Sequence, residues 1–129
     1  MIDVHFVTFD CAAPYELATF WRDATGAEIH PATDKDDDEV LLLGTPNLLF
    51  IKVPEGKTAK NRVHLDVTGS AGSTRDQEVE RLLGLGATIQ ADRRNPDGSG
   101  WVTMLDPEGN EFCVCRSEAE REQAGSAQA

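Results

Sequence analysis

The sequence has no long hydrophobic run and few basic residues. No segment approaches the roughly 20 consecutive apolar residues of a transmembrane helix, and the amino terminus lacks the basic and apolar regions of a signal peptide. Twelve Lys and Arg residues against 23 Asp and Glu residues give a net charge of −11, which would repel a phosphate backbone. We therefore expect a cytoplasmic protein that binds neither nucleic acid nor a membrane.

Cysteine is also scarce. The three cysteines are Cys11, Cys113 and Cys115, an odd number with no CxxC pair. That count does not support a disulfide framework, so we expect reduced thiols. Hydrophobic residues nevertheless make up 40% of the 129 positions, which is enough for one compact domain over residues 1–129.

Secondary-structure patterns occur in the same order in two halves of the chain. In the first half we predict a strand, a helix that begins near Pro14 and ends at Gly26, and three further strands, at 4–9, 27–30, 40–43 and 47–53. In the second half we predict a strand, a helix capped by Ser73 or Thr74 that runs to about Leu85, and three strands, at 62–68, 87–90, 101–105 and 111–116.

Short matches about 60 residues apart indicate an internal duplication. They are Val4-His5-Phe6 with Val63-His64-Leu65, Gly26-Ala27 with Gly86-Ala87, and Phe50-Ile51 with Phe112-Cys113. We predict an α+β fold of two tandem βαβββ modules, at about 2–53 and 61–116, that form one cupped mixed β-sheet with helices on the outside. Residues 117–129 are a polar tail that forms a helical turn or stays disordered.

A cup lined by alternate strand residues suits a small-molecule ligand. His5 and His64 are a matched pair, and so are Ile51 and Cys113. Two imidazoles could bind a divalent metal or carry protons, although strand histidines are also often structural. Zinc would accept His5, His64 and Cys113 together, whereas Cys113 on its own fits a small buried hydrophobe.

Two more residues complete the predicted site. Asp66 shares a strand face with His64; it is either a polar ligand-binding group or a base, or it pairs with an arginine such as Arg62, Arg93 or Arg94. Trp101 begins a strand after a glycine-rich turn and forms either an aromatic wall of the pocket or part of its rim.

The sequence resembles the glyoxalase-like, bleomycin-resistance-like branch of the vicinal-oxygen-chelate superfamily over about residues 2–117. The most specific segments are Val63-His64-Leu65-Asp66 and Asp106-Pro107-Glu108-Gly109-Asn110-Glu111-Phe112. The resemblance implies two βαβββ modules around a cupped sheet, often in homodimers. Metal-dependent members hold a divalent ion with His and Glu on the first, fourth, fifth and eighth strands.

Those four positions are only partly filled by metal ligands here. By the resemblance, the fifth-strand position is His64 and the eighth is Cys113, where the enzymes have glutamate. The fourth lies near Ile51, and the first is His5 or Val4. The resemblance thus implies a homodimer that binds a small molecule without the usual metal site. The alternatives are a lyase or dioxygenase that binds Zn, Ni, Fe or Mn through His/His/Cys ligation, and a protein that sequesters a drug or antibiotic.

Overall fold

The computed structural model describes residues 1–125, and the contacts within it divide the chain into two compact units. The first unit is Met1–Thr58 and the second begins at Ala59. Each unit contains the order strand, helix, strand, strand, strand. No helix within residues 1–125 is long and apolar enough to cross a membrane. The last four residues of the predicted tail, 126–129, lie outside the described part.

The first unit has one helix and a four-stranded sheet. Its elements are β1 (Val7–Cys11), α1 (Pro14–Thr25), β2 (Glu28–Ile29), β3 (Glu39–Leu43) and β4 (Leu48–Lys52). The strands lie in the order β1-β4-β3-β2, with β1 parallel to β4 and the other pairs antiparallel.

Helix α1 covers one face of that sheet because its apolar residues recur at helical spacing. Pro14 lies in its first turn, where no amide hydrogen is needed, and Gly26 ends it in the left-handed conformation at φ 76°. Trp21 and Leu17 are each 1% exposed, and the buried side of the sheet includes Phe50 at 0%.

The second unit repeats this arrangement and adds a short C-terminal helix. Its elements are β5 (Leu65–Thr68), α2 (Arg75–Leu85), β6 (Thr88–Asp92), β7 (Trp101–Leu105), β8 (Glu111–Cys115) and α3 (Glu118–Gln123). The strands lie in the order β5-β8-β7-β6, with β5 parallel to β8 and the other pairs antiparallel.

Helix α2 packs on one face of its sheet. Thr74 caps the helix in a capping box with Gln77. The residues of β7 and β8 that lie on the helix side are buried, namely Val102, Met104, Phe112 and Val114. Because successive strand residues point to opposite faces, Trp101, Thr103, Cys113 and Cys115 lie together on the other face.

The observed elements confirm the predicted fold class, an α+β fold with two βαβββ modules, and strand pairing forms two four-stranded sheets, one in each unit, where one cupped sheet was predicted. The main difference concerns the two strands that begin the units. They were predicted at 4–9 and 62–68 but begin at Val7 and Leu65. His5 and His64 therefore precede their strands, because β1 first meets its partner at Leu48 and β5 first meets its partner at Phe112.

Candidate functional site

The face of the second unit's sheet opposite α2 lines a cavity of about 890 Å³. Four of the residues predicted from the sequence line it: His64, Asp66, Trp101 and Cys113. Seven other residues complete the lining: Lys60, Gln90, Arg93, Asn95, Thr103, Glu111 and Cys115. The volume is within the range of about 300–1,000 Å³ that is typical of small-molecule sites.

A polar cluster lies where β5 meets β8. His64 Nδ1 is 3.1 Å from Asp66 Oδ1 and 3.9 Å from Cys113 Sγ. Asp66 and Cys113 are direct neighbours across the parallel β5–β8 pair. The carboxylate favours the tautomer in which Nδ1 carries the hydrogen and donates it to Asp66, which leaves Nε2 as a proton acceptor.

Strand β7 connects this cluster to the aromatic side of the cavity. The Trp101 indole Nε1 donates a hydrogen bond of 3.1 Å to Thr103 Oγ1, and the same oxygen lies 3.7 Å from Cys113 Sγ. These contacts fix the indole beside Thr103, while 42% of Trp101 remains exposed. A large aromatic surface is thus open to the cavity next to ordered polar atoms.

The two thiols of β8 are weak nucleophiles. Burial is the main cause that raises the pKa of Cys113; the contact with Thr103 lowers that pKa by less than burial raises it, and the nearby Asp66 carboxylate raises it further. Burial also raises the pKa of Cys115, again with a contribution from Asp66. Both thiols are therefore neutral at pH 7, and neither presents the thiolate that covalent chemistry requires.

The same cluster also has the composition of a metal site. One ligand atom each from His64, Asp66 and Cys113 lies within 4.8 Å of the others. In a tetrahedral zinc site, ligand atoms at bond lengths of about 2.0–2.3 Å are roughly 3.3–3.6 Å apart, close to the observed 3.1 Å and 3.9 Å. The donor set therefore suits zinc, and the two distances from His64 Nδ1 are compatible with ligation. Metal binding would require the Cys113 thiolate and would displace the hydrogen from His64 Nδ1.

The β6–β7 loop forms another wall of the cavity and is held by a buried arginine. Arg75 of α2 is 5% exposed and donates hydrogen bonds of 3.2 Å to the carbonyl of Gly100 and 3.0 Å to that of Gly98. Burial lowers the pKa of Arg75, and Arg94 lowers it further, yet a guanidinium remains charged at any physiological pH. The anchored loop carries Arg93 and Asn95 into the lining.

The other two predicted site residues belong to the first unit. His5 is exposed, and its ring centroid lies 3.9 Å from that of Phe6. Ile51 is half-buried on β4. Strand pairing places Ile51 opposite Asp10, as it places Cys113 opposite Asp66. If Ile51 and Cys113 are equivalent, the position that matches His64 is Thr8, two residues before Asp10, rather than His5.

The structure gives the surroundings of the two residues that were left with alternative roles, Asp66 and Trp101. Asp66 is bonded to His64, whereas Arg94 pairs with Asp76 and Asp92 instead. Trp101 lines the cavity.

Some of the missed lining residues had a signal in the sequence. Thr103, Glu111 and Cys115 lie two positions from Trp101 or Cys113, so strand alternation places them on the same face. Arg93 and Asn95 lie on a loop, where no such periodicity exists. Arg75 was missed because a charged residue on an amphipathic helix is expected to face solvent.

The comparisons with known proteins agree with this architecture. The family model of the glyoxalase-like domain matches residues 6–115. No curated protein matches the chain. Several solved structures have a similar fold, and the similarity extends over most of this chain and most of theirs.

One such structure is a glyoxalase/bleomycin resistance protein/dioxygenase family enzyme from Burkholderia phytofirmans, with 16% identity, a TM-score of 0.69, and coverage of 88% of this chain and 97% of that one. A second is a fosfomycin resistance protein from Listeria monocytogenes, solved with Mn(II) and a dihydroxypropylphosphonic acid, with 15% identity, a TM-score of 0.69, and coverage of 94% and 95%. A third is a lactoylglutathione lyase from Agrobacterium tumefaciens, with 21% identity, a TM-score of 0.59, and coverage of 92% and 95%.

At these identities the solved structures show the fold alone. The family match covers most of the chain and both βαβββ units. The chain therefore belongs to the glyoxalase-like domain family.

Proposed function

We propose that this protein binds a small organic molecule in the cavity of its second unit. The observation that carries the proposal is the cavity of about 890 Å³ on the sheet face opposite α2. The cavity combines a partly exposed indole with a few ordered polar groups, which is the usual composition of a ligand site. The exposed ring of Trp101 supplies the apolar contact, and the His64–Asp66 pair supplies the polar one.

Any reaction in this cavity would begin with proton transfer. His64 Nε2 can accept a proton from a bound molecule while Asp66 stabilises the resulting imidazolium. The neutral thiols of Cys113 and Cys115 do not favour a covalent intermediate. The structural relatives include a lyase and a resistance protein, so both turnover and sequestration of the ligand remain part of the proposal.

The binding proposal is tested by a thermal-shift screen of aromatic and antibiotic-like compounds, followed by calorimetric titration of the hits. Trp101→Ala should weaken binding about tenfold, because stacking on the ring is lost. Ile89→Ala is the matched control, since Ile89 is an exposed apolar residue of β6 that does not line the cavity. Equal affinity of the two variants for every hit would contradict the proposed site.

A second candidate is a metal-dependent activity, favoured by the ligand atoms of His64, Asp66 and Cys113 within 4.8 Å. Such a metal would act as a Lewis acid on a bound oxygen. Elemental analysis after incubation with zinc, nickel, iron and manganese should then give about one equivalent per chain. His64→Ala should abolish that metal, whereas His30→Ala should retain it because His30 is an exposed histidine of the first unit. No bound metal under any condition would eliminate this candidate.

The homodimer and the cytoplasmic location stay predictions. Sedimentation velocity across a range of protein concentrations would measure the oligomeric state directly. A species of 14.0 kDa at every concentration would contradict the dimer.

A further inference from the structure

The β6–β7 wall of the cavity contains the guanidinium of Arg93, which no carboxylate among residues 1–125 pairs with. We propose that the cavity selects ligands whose polar end is a carboxylate, bound at Arg93, and whose planar apolar body lies on Trp101. This inference rests on the proposed function, because it names the ligand class of the same cavity. It differs from the metal candidate, which concerns the β5–β8 end of the same cavity.

The charges around Arg93 are already paired with one another. Arg94 binds Asp92 at 2.5 Å and Asp76 at 2.7 Å. Asp97 is engaged by Ser99, which donates to it at 2.6 Å from its hydroxyl group. Within residues 1–125, the Arg93 side chain itself forms no hydrogen bond or ion pair. Acidic residues outnumber basic residues 23 to 12 in this chain. An arginine that lines the cavity and has no carboxylate partner is therefore available to bind the anionic group of a ligand.

The backbone fixes Arg93 beside the indole. Arg93 N donates a hydrogen bond of 2.8 Å to Trp101 O, so the two residues are neighbours at the end of the β6–β7 pair. Gly100 packs tightly on the Arg93 carbonyl; a Cβ at Gly100 would lie 2.3 Å from that oxygen. Arg75 in turn holds the Gly100 carbonyl. A planar acid can therefore stack on Trp101 and reach the adjacent guanidinium with its carboxylate.

The two carboxylates that line the cavity, Asp66 and Glu111, lie on β5 and β8, whereas Arg93 follows β6. Asp66 belongs to β5, three strand spacings from β6 in the sheet order, which is roughly 14 Å. Glu111 accepts a hydrogen bond of 3.0 Å from Asn61 N, so its carboxylate lies beside the backbone next to Lys60. The positive charge of Lys60 is thus close to an acidic group, and Arg93 is the cation around which an anion is favoured.

The test compares matched acids and amides. Naphthalene-1-carboxylate, indole-3-acetate and benzoate are titrated calorimetrically against their neutral carboxamides, with wild type, Arg93→Gln and Arg62→Gln. Arg62 is an exposed arginine that does not line the cavity. In wild type we expect at least one acid to bind about tenfold tighter than its amide, since a charge-assisted hydrogen bond is lost in the amide.

Arg93→Gln should remove that preference and leave the amide's affinity unchanged, whereas Arg62→Gln should behave as wild type. Raising the salt concentration should weaken the acid more than the amide. Acids and amides that bind equally well would overturn the carboxylate assignment but leave the proposed binding function standing. The same holds if Arg93→Gln keeps the preference. If none of the six compounds binds, the aromatic-acid assignment fails, and the thermal-shift screen then decides the proposed function separately.

Discussion

Arg94 and Asp92 form an exposed pair, and neither residue lines the cavity. Arg94 donates to both carboxylate oxygens of Asp92 and also to Asp76. These bonds lower the pKa of Asp92 from 3.8 to about 2. The pair matters for the site because the carboxylate adjacent in sequence to Arg93 is already bound by another guanidinium.

We predict that Arg94→Gln returns the Asp92 pKa toward 3.8, because the cation that favours the charged carboxylate is removed. The wild-type pKa is depressed on folding, so this pair stabilises the protein above about pH 4 and stops doing so as the pH falls through about 2. Carboxyl-carbon NMR titration of both proteins measures the shift. An unchanged Asp92 pKa in the variant would show that Arg94 does not hold it.

At the level of single residues, the sequence predicted some site members and not others. His64, Asp66, Trp101 and Cys113 could be proposed because strand alternation and the family resemblance both pointed to them. The pairing of His64 with Asp66 could not be predicted, because the sequence offered several arginines as equally suitable partners for the Asp66 carboxylate. Only the backbone path decides which oppositely charged group is within reach.

Arg75 connects helix α2 to the β6–β7 loop by hydrogen bonds. Its guanidinium spans the carbonyls of Gly98 and Gly100, and its amide donates a hydrogen bond of 2.7 Å to Glu120 of α3. The short C-terminal helix, which the sequence left as either a helical turn or a disordered tail, thus contacts the start of α2.

We expect Arg75→Met to lower the free energy of unfolding by about 2 kcal/mol, because two loop carbonyls lose charged donors. Urea denaturation measures the change. Arg62→Met is the control, since it removes an exposed arginine and should change stability by less than about 0.5 kcal/mol. Equal stability of the two variants would mean that the buried guanidinium does not anchor the loop.

Gly100 has a conformation and a packing position that other residues cannot adopt. Its φ is +93°, and an added Cβ would lie 2.3 Å from the Arg93 carbonyl oxygen. Gly100→Ala should therefore destabilise the protein by about 2 kcal/mol or more. The same substitution should also lower the affinity for any carboxylate ligand, because the added Cβ displaces Arg93.

Gly56→Ala is the matched control, since nothing lies within 4 Å of its added Cβ and its φ is not positive. Thermal unfolding of both variants gives the comparison. A Gly100→Ala protein as stable as Gly56→Ala would contradict the packing of the loop on Arg93.

Element types were easier to predict than element ends. The helix limits followed from Pro14, Thr74 and the two glycines after α1 and α2, because these residues act locally. Strands β1 and β5 began later than predicted. A strand begins where it meets a partner, and the residues from Val4 to Phe6 have strand propensity without a ladder partner.

For the whole molecule, the internal repeat was the decisive sequence signal. Matches about 60 residues apart predicted two βαβββ units, and the family match over residues 6–115 agrees with them. The repeat also led to a predicted ligand cup, but not to the β6–β7 wall of the cavity, because that wall depends on a loop anchored by a buried charge. A fold shared at 13–21% identity with solved relatives leaves such loops free to differ.

The central claim is that the cavity of the second unit binds a small organic molecule, and the two tryptophans allow a direct test. Trp101 lines the cavity with its indole hydrogen on Thr103, whereas Trp21 is buried in the first unit. Two-dimensional 1H–15N NMR during titration with a screening hit should show a saturable shift of the Trp101 indole signal, with Trp21 unchanged. Hits that shift only the Trp21 signal, or neither signal, would contradict the proposed binding site.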